Sequence, residues 1–231
     1  MTIERRFAPT EFEVRQAATG GAVIEGHAAV FNRLSRNLGG FVEQIDPAAF
    51  DKTLADNPDV RALINHDPSH LLGRSRSGTL RLSKDGIGLH YEVDVPDRSD
   101  ARDLLVSMER GDITQSSFAF FMVDDDWGQS EQGFPLRTVT AASLHNGDVS
   151  PVTYPAYEDA DSGVAERAFH HLAEVRSLDF DTVRQAALSG ELGQIISGEP
   201  VEEDEQRDTH STSIAIARAR LDLMSRHPGA A

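Results

Sequence analysis

Short apolar runs separated by turn-forming residues fill most of the sequence up to about residue 165. Glycine, proline, asparagine and aspartate punctuate these runs, which is the pattern of many short strands. The clearest example is the segment GTLRLSKDGIGLHYEVDV, in which Leu80 and Leu82 alternate with polar residues before the turn signal KDG. After the turn, one face carries Leu89, Tyr91, Val93 and Val95. The segment therefore predicts a β-hairpin with one solvated face.

Two helices are predicted within this strand-rich region. Residues 96–112 contain an apolar stripe at helical spacing, and Asp97 or Ser99 is a suitable N-cap. Residues 46–57 show a similar stripe, with Asp46 as the N-cap and a proline at the first helical position. Many strands with a few flanking helices predict a mainly β fold of the α+β class.

The character of the sequence changes near residue 165. The segment AERAFHHLAEVRSLDFDTVRQAALSG predicts helix, and it is followed by the acidic run GEPVEEDEQRD and a last helix-like segment. Like charges in the acidic run resist compaction, so this run predicts a linker. We therefore predict a domain at residues 1–165 and a helical, acidic C-terminal tail at residues 166–231. The last segment either docks on a partner or is an ordinary disordered tail.

Composition narrows the classes of function. The 231 residues are 39% hydrophobic, which suffices for a folded core. With 22 basic and 38 acidic residues the net charge is −16, so nucleic acid and anionic membranes are disfavoured as partners. The absence of cysteine removes disulfides and thiolate chemistry. No apolar run is long enough to span a bilayer and the N-terminus lacks the pattern of a signal peptide, so we expect a cytoplasmic protein.

The segment DITQSSFAFF places two adjacent serines in an apolar strand. The period of two puts Ser116 and Ser117 on opposite faces, so at most one of them belongs to any one site. A buried strand serine most often bonds to a neighbouring carbonyl, so the two serines alone do not predict chemistry. A nucleophilic role requires a base from elsewhere in the chain.

The candidate base is a histidine in the segment VRALINHDPSHLLGR. We predict a strand that aligns Val60, Ala62, Ile64 and His66 on one face, with His66 partly desolvated beside a loop. The alternative is a structural histidine with satisfied hydrogen bonds. His70 could join His66 in a metal site, but no third ligand is evident. We therefore expect no metal and no other cofactor.

The segment LHNGDVSPVTYPAY offers a third group. A serine and histidine pair needs a neighbour that orients the imidazole, and either His145 or Asp148 is suited to that role. Outside such a pair, an aspartate in this position serves more often in a turn or a cap.

Seven segments resemble, in order, the prohead protease family of tailed bacteriophages, the serine peptidases that mature a newly assembled capsid. They lie between about residues 11 and 160. Each is weak alone, whereas seven in register are specific. The segments are IEGHAAVFN, LGGFVEQIDPAAF, VRALINHD, LLGRSRSGTLRLSKDGIGLHYEVDVP, ARDLLVSMERGDI, SSFAF and DVSPVTYPAY.

The resemblance implies a role for each candidate residue. The histidine of the NHD segment is the family's base, and the serine before the first phenylalanine of the SFAF segment is its nucleophile. These correspond to His66 and Ser117, and Ser116 is then the spare serine. The family pattern tends to have glutamate where this chain has Asp148, so Asp148 is the preferred third member and His145 remains a rival.

The resemblance also implies a fold and a setting. The fold is that of the herpesvirus capsid-maturation proteases, the assemblins: a closed, mainly antiparallel β-barrel wrapped by helices. The implied substrates are the scaffolding segment of the major capsid protein and the protease itself, inside the immature capsid in the bacterial host. A homo-oligomer is expected. Neither the sequence nor the resemblance identifies the oxyanion donors, for which Arg74 or backbone amides are options.

Three other functions are compatible with parts of the sequence. A non-enzymatic capsid assembly protein with this fold would carry a damaged serine or histidine, and both residues are present. A fusion to a scaffold domain is a second option, although a tail of about sixty residues is short for one. A metal hydrolase built on His66 and His70 is the third.

Overall fold

The computed structural model describes residues 3–8, 13–16, 21–154 and 158–198. Within these residues the chain forms ten strands, five α-helices and a short 3-10 helix at Ser75–Ser77. The strands are β1 (Ile3–Ala8), β2 (Glu13–Gln16), β3 (Ala22–Val30), β4 (Val42–Ile45), β5 (Arg61–Ile64), β6 (Asp67–Arg74), β7 (Leu80–Lys84), β8 (Gly88–Asp94), β9 (Gln115–Gln129) and β10 (Pro135–Val152). The helices are α1 (Asp51–Ala55), α2 (Ser99–Glu109), α3 (Glu158–Arg176), α4 (Phe180–Ser189) and α5 (Leu192–Ser197).

The strands form two sheets. The larger has six strands in the order β1-β9-β10-β5-β6, with β4 also paired to β10. The smaller has four strands in the order β2-β3-β8-β7. Pairing is antiparallel except where β10 meets β4 and β5. A fold made mostly of strands with few helices confirms the predicted α+β class.

The closed barrel implied by the resemblance is wrong for the described strands, because the two sheets share no backbone ladder. Strand β1 contacts β3 and strand β6 contacts β8, so the sheets meet at both edges of the larger one. The contacted strands already have neighbours on both sides, since β3 lies between β2 and β8 and β8 lies between β3 and β7. A strand has only two hydrogen-bonding edges, so the stretches of β3 and β8 that are paired on both sides have no edge left for β1 or β6.

Both sheets contribute to one hydrophobic core. The smaller sheet supplies Ile24 and Tyr91, and the larger supplies Phe118 and Phe120, all almost fully buried. The ring of Phe118 stacks on that of Phe120 with 5.0 Å between centroids, and it meets the ring of Phe50 edge-on. These contacts fix the inner face of β9, the strand that carries the two adjacent serines.

The predicted hairpin and the helix that follows it are both present. Strands β7 and β8 pair in antiparallel register on either side of residues 85–87, as the alternating pattern predicts. Helix α2 lies within the predicted segment, but its N-cap is Arg98 and no side chain caps it. The predicted caps are wrong because the carboxylate of Asp97 binds Arg102 and Ser99 is already the first helical residue.

The second predicted helix is much shorter than residues 46–57. Residues 47–50 form turns, and only α1 is helical. Asp46 accepts a hydrogen bond from the amide of Ala48 at 2.7 Å, so it caps the turn and not α1. Such local bonds between an aspartate and a nearby amide compete with helix formation, which accounts for the difference.

The segment predicted as helical after residue 165 is helical. Asp179 caps α4 by accepting from the amide of Thr182 at 3.1 Å, and Phe169 of α3 packs edge-on against Phe41. Helix α3 runs across the predicted domain boundary, which stays a prediction. Most of the acidic run and all of the last segment lie outside the described residues. Among the described helices, none combines the length and the apolar character needed to cross a membrane.

Candidate active site

Strand β9 presents its two adjacent serines to different environments. Its inner face carries Phe118 and Phe120 into the core, and Ser116 shares that face. The Ser116 hydroxyl lies 2.7 Å from the Tyr91 hydroxyl, and both groups are buried. Burial raises the pKa of Tyr91 above its ordinary value, so the phenol stays neutral. Ser116 therefore has a structural partner in the core, and Ser117 faces the other way.

His66 lies in the tight turn between β5 and β6. Strand β5 ends at Ile64, which pairs with Asp67, so Asn65 and His66 form a two-residue hairpin loop. Their φ angles are 53° and 58°, the left-handed values that a type I′ turn requires at both positions. The prediction that a strand starting at Val60 aligns His66 on one face is therefore wrong. The chain turns back after Ile64, and the turn carries the imidazole.

Asn65 fastens the tip of this hairpin to the end of β10. Its amide donates to the carbonyl of Pro151 at 3.0 Å. Its side chain accepts from the Thr153 amide at 2.8 Å and donates to the Thr153 hydroxyl at 3.1 Å. Asparagine tolerates the left-handed backbone better than most residues, so one residue supplies both the turn and the anchor. The anchor holds His66 beside β10.

The turn brings the His66 ring between Ser117 and Asp148. Nε2 of His66 is 2.6 Å from the Ser117 hydroxyl oxygen, and Nδ1 is 2.5 Å from Oδ1 of Asp148. A carboxylate only accepts hydrogen bonds, so Nδ1 carries the proton and Nε2 is free to accept the proton of Ser117. The side chains of His66 and Asp148 are each 10% exposed, and the partial exclusion of water strengthens both interactions. This geometry suits a nucleophile, a general base and an orienting carboxylate.

A shift in the β9–β10 ladder sets the position of Asp148. The register breaks between Ser143 and Asp148, and pairing resumes with Asp148 opposite Ala119. Gly147, within the break, comes so close to β9 that a Cβ there would lie 2.1 Å from the Ala119 carbonyl oxygen. Only glycine fits this approach. Cross-strand partners share a face, so Asp148 points to the side of the sheet that carries Ser117.

Most of the chain matches one protein family. A sequence model of the caudovirus prohead serine proteases matches residues 10–174, a range that contains Ser117, His66 and Asp148. The chain belongs to the caudovirus prohead serine protease family. The resemblance seen in the seven segments is thereby confirmed.

This prohead protease family member was also compared with curated proteins and with solved structures. No curated protein matches the chain. Among solved structures, the chain is similar to the capsid assembly protease gp21 of bacteriophage T4, with 13% sequence identity and a TM-score of 0.42. The alignment covers 65% of this chain and 96% of that chain.

The two other candidate histidines of this prohead protease family member, His145 and His70, have partners outside the group of Ser117, His66 and Asp148. Nδ1 of His145 accepts from the amide of Asp59 at 3.4 Å, and His70 binds Asp100 at 3.0 Å. The described part of the chain contains no cluster of three or more side chains that could hold a metal ion. His66 and His70 bind different carboxylates, so the described contacts do not join them in one site.

Arg74, one option for an oxyanion donor, is held by Asp59. Its guanidinium donates to both carboxylate oxygens of Asp59, at 2.7 and 2.6 Å. This hydrogen bonding lowers the pKa of Asp59 to about 2. Arg61 also contacts the carboxylate, at 3.4 Å. The observed contacts of Arg74 therefore direct its guanidinium to an ion pair and not to the serine.

The backbone of Arg6 provides a second acceptor beside the Ser117 hydroxyl. The carbonyl oxygen of Arg6, on the neighbouring strand β1, lies 2.9 Å from the Ser117 hydroxyl oxygen. A serine has one hydroxyl proton, which at any moment goes either to His66 or to this carbonyl. Proton transfer to the base requires the first arrangement. Sequence reasoning missed this contact because it joins residues 111 positions apart.

A buried group of charges holds β1 in place beside the site. Arg6 donates to Glu43 on β4 at 2.5 and 2.9 Å and to Glu4 at 2.7 Å. Arg137 on β10 donates to Asp125 at 2.5 Å and to Glu43 at 3.1 Å. Burial opposes the charge on Arg6 and on Glu43, but their pairing outweighs it, raising the pKa of Arg6 and lowering that of Glu43. Both groups stay charged, and the pairing ties β1 to β4 and β10.

Sequence reasoning also missed two residues that support the candidate triad of Ser117, His66 and Asp148. Asn65 anchors the turn that carries His66, and Ser150 donates a hydrogen bond to Asp148 at 2.7 Å. The signal for Ser150 was its place two residues after Asp148 in a strand, because the period of two puts both side chains on one face. The signal for Asn65 was its residue type directly before the histidine, since asparagine favours left-handed turn positions.

Proposed function

We propose that this chain is a serine endopeptidase in which Ser117 is the nucleophile, His66 the general base and Asp148 the orienting carboxylate. The observation that carries the proposal is the hydrogen-bonded path from Ser117 through both ring nitrogens of His66 to Asp148, at 2.6 and 2.5 Å. Membership of a serine protease family supports the same chemistry. Ser116 and His145, the rival candidates, have other partners, Tyr91 and the Asp59 amide.

In the proposed reaction, the Ser117 oxygen attacks the carbonyl carbon of a peptide bond while Nε2 of His66 takes the hydroxyl proton. The tetrahedral intermediate then breaks its carbon–nitrogen bond, and His66 returns the proton to the leaving amine. This leaves an acyl ester on Ser117. Water, activated by the same imidazole, attacks the ester and releases the new carboxylic acid.

Asp148 keeps one role through both halves of the reaction. It accepts from Nδ1 of His66, which fixes the tautomer, and its negative charge stabilises the imidazolium that forms in each transition state. Positioned proton transfer of this kind typically contributes about 10²- to 10⁴-fold to the rate.

The proposed biological role is maturation of a phage prohead. Family membership supports a protease of capsid assembly. The proposed substrates are the scaffolding segment of the major capsid protein and the protease itself, with cleavage in the tail at residues 166–231. We place the enzyme inside the immature capsid, in the cytoplasm of the bacterial host, as a homo-oligomer. Packaging would keep an active protease away from the proteins of the host.

The test is intact-mass spectrometry of the purified chain, with and without the partner capsid protein. Wild type and Ser116→Ala are expected to shorten the capsid protein, the chain itself, or both, whereas Ser117→Ala leaves every mass unchanged. A chelator should not alter the wild-type result. If Ser117→Ala cleaves as fast as wild type, the assignment of the nucleophile is wrong. If neither the capsid protein nor the chain itself is shortened by any variant, wild type included, a non-enzymatic role in capsid assembly becomes the better account.

A further inference from the structure

Ser150 is a buried residue whose hydroxyl contacts Asp148, the carboxylate of the candidate triad. It lies two residues after Asp148 on β10 and has no exposed surface. Its hydroxyl donates to Oδ1 of Asp148 at 2.7 Å. The same oxygen accepts from Nδ1 of His66 at 2.5 Å. Two donors from different parts of the chain therefore converge on one carboxylate oxygen.

The contact depends on the register of the sheet. Ser150 pairs with Ser117 across the β9–β10 ladder, and Asp148 pairs with Ala119. Cross-strand partners share a face, so the nucleophile, the carboxylate and Ser150 all point to the same side of the sheet. The Ser150 hydroxyl reaches the carboxylate and acts on His66 only through it.

We propose that Ser150 is a positioning residue for the proteolytic reaction, which holds the Asp148 carboxylate in the orientation that receives the His66 Nδ1 proton. The proposal rests on the proposed protease function. An aspartate carboxylate has a broad, roughly two-fold torsional preference, so one hydrogen bond leaves it able to rotate. A second donor on the same oxygen restricts that rotation. Because the acceptor is ionised and the bond is buried, the bond is of the stronger, charge-assisted kind.

A purely structural role makes a different prediction. In that case the Ser150 hydroxyl would merely satisfy its own hydrogen-bonding need, and its loss would lower stability without changing the His66–Asp148 bond. Ser116 provides a matched control, because it is also a fully buried serine on the adjacent strand whose hydroxyl has a side-chain partner, Tyr91. It lies on the opposite face and does not contact the triad.

The experiment compares Ser150→Ala, Ser150→Cys and Ser116→Ala in the full chain. Steady-state cleavage of a capsid-protein peptide gives kcat and KM, and proton NMR of histidine-labelled protein follows the low-field Nδ1 proton of His66, identified by its loss in His66→Ala. We expect Ser150→Ala to lower kcat by about 10- to 100-fold with KM unchanged, the range for loss of a hydrogen bond to a charged group. The His66 proton signal should move upfield and exchange faster with water.

The Ser150→Cys variant separates the effect of losing a strong hydrogen-bond donor from the effect of losing side-chain volume. A thiol is a weak donor of similar shape, so Ser150→Cys should fall between wild type and Ser150→Ala in both kcat and proton shift. Ser116→Ala should leave both readouts as in wild type. The proposal is overturned if Ser150→Ala keeps the wild-type proton signal and kcat, or if it loses no more than Ser116→Ala. If wild type proves inactive, the proposed function fails, and the NMR comparison still decides whether Ser150 positions Asp148.

Discussion

Replacement of Asp148 by asparagine separates the charge of the third residue from its hydrogen bonds. Both donors, His66 Nδ1 and the Ser150 hydroxyl, converge on Oδ1. The amide oxygen of the new side chain should therefore take the Oδ1 position, because the amide nitrogen there would face two donors. The imidazole then keeps its tautomer, with Nε2 free to accept from Ser117. What Asp148→Asn removes is the negative charge.

The size of the effect follows from the separation of the charges. A carboxylate and an imidazolium about 4 Å apart attract each other by about 4 kcal/mol at an effective dielectric constant near 20, suitable for a partly exposed pair. Losing this stabilisation of the transition state lowers kcat by about 10³-fold. If the amide instead flipped and reversed the tautomer, the loss would approach the ~10⁴-fold typical of the corresponding change in serine protease triads.

The assay is peptide cleavage by Asp148→Asn and by His145→Ala, each checked for folding by thermal unfolding. His145 contacts the Asp59 amide, so His145→Ala should keep kcat within about twofold of wild type. A fall of less than tenfold for Asp148→Asn would refute the electrostatic role of the Asp148 carboxylate. If His145→Ala then showed the larger loss, His145 would be the third member of the triad.

Three further predictions concern residues around the site. The pKa of Asp59 is lowered to about 2 by hydrogen bonding to its arginine partner, so its contribution to stability is present above its ordinary value of 3.8 and is lost as the pH falls from there to about 2. Asp59→Asn should accordingly show a shallower loss of unfolding free energy than wild type in an acid titration followed by chemical denaturation. Ser116→Ala should cost about 1–3 kcal/mol of unfolding free energy in the same assay, because it leaves the buried Tyr91 hydroxyl without its partner, while cleavage is unchanged. Thr153→Val removes the hydroxyl that accepts from the Asn65 side chain and should lower kcat by about two- to tenfold, measured against Thr153→Ser, which should retain the rate.

The features that the sequence predicts well are those with a local signal. The β7–β8 hairpin follows from the alternation around the KDG turn, and the helices after residue 165 follow from helical spacing. The opposite facing of Ser116 and Ser117 needs only the period of a strand. The predicted cap of α2 by Asp97 was wrong because a charged side chain has several possible partners, and here the Asp97 carboxylate binds Arg102.

The remaining features depend on contacts between distant parts of the chain. His66 was expected at the end of a strand, yet two left-handed residues turn the chain back one step earlier. Apolar spacing does not reveal such a turn, and its local signal is Asn65, a residue type that favours left-handed turn positions. A local pattern also does not predict that the two sheets share no ladder, since this depends on which strands already have two neighbours. Sequence patterns offered two serines, one candidate base and two orienting groups, and the resemblance to a family chose Ser117, His66 and Asp148 among them.

The position of the Asp148 carboxylate depends on Gly147, whose lack of a side chain lets β10 approach β9 closely. Asp148 and Ser150 point toward Ser117 only because the β9–β10 register shifts between residues 143 and 148. A slip of one residue would turn both side chains to the opposite face, into the core that Phe118 occupies. Gly147 allows the shifted register, since any Cβ at its position would collide with the backbone of β9. The geometry of the candidate site is thus a property of the ladder register, and substitutions that disturb the register should remove the site without touching any of its three side chains.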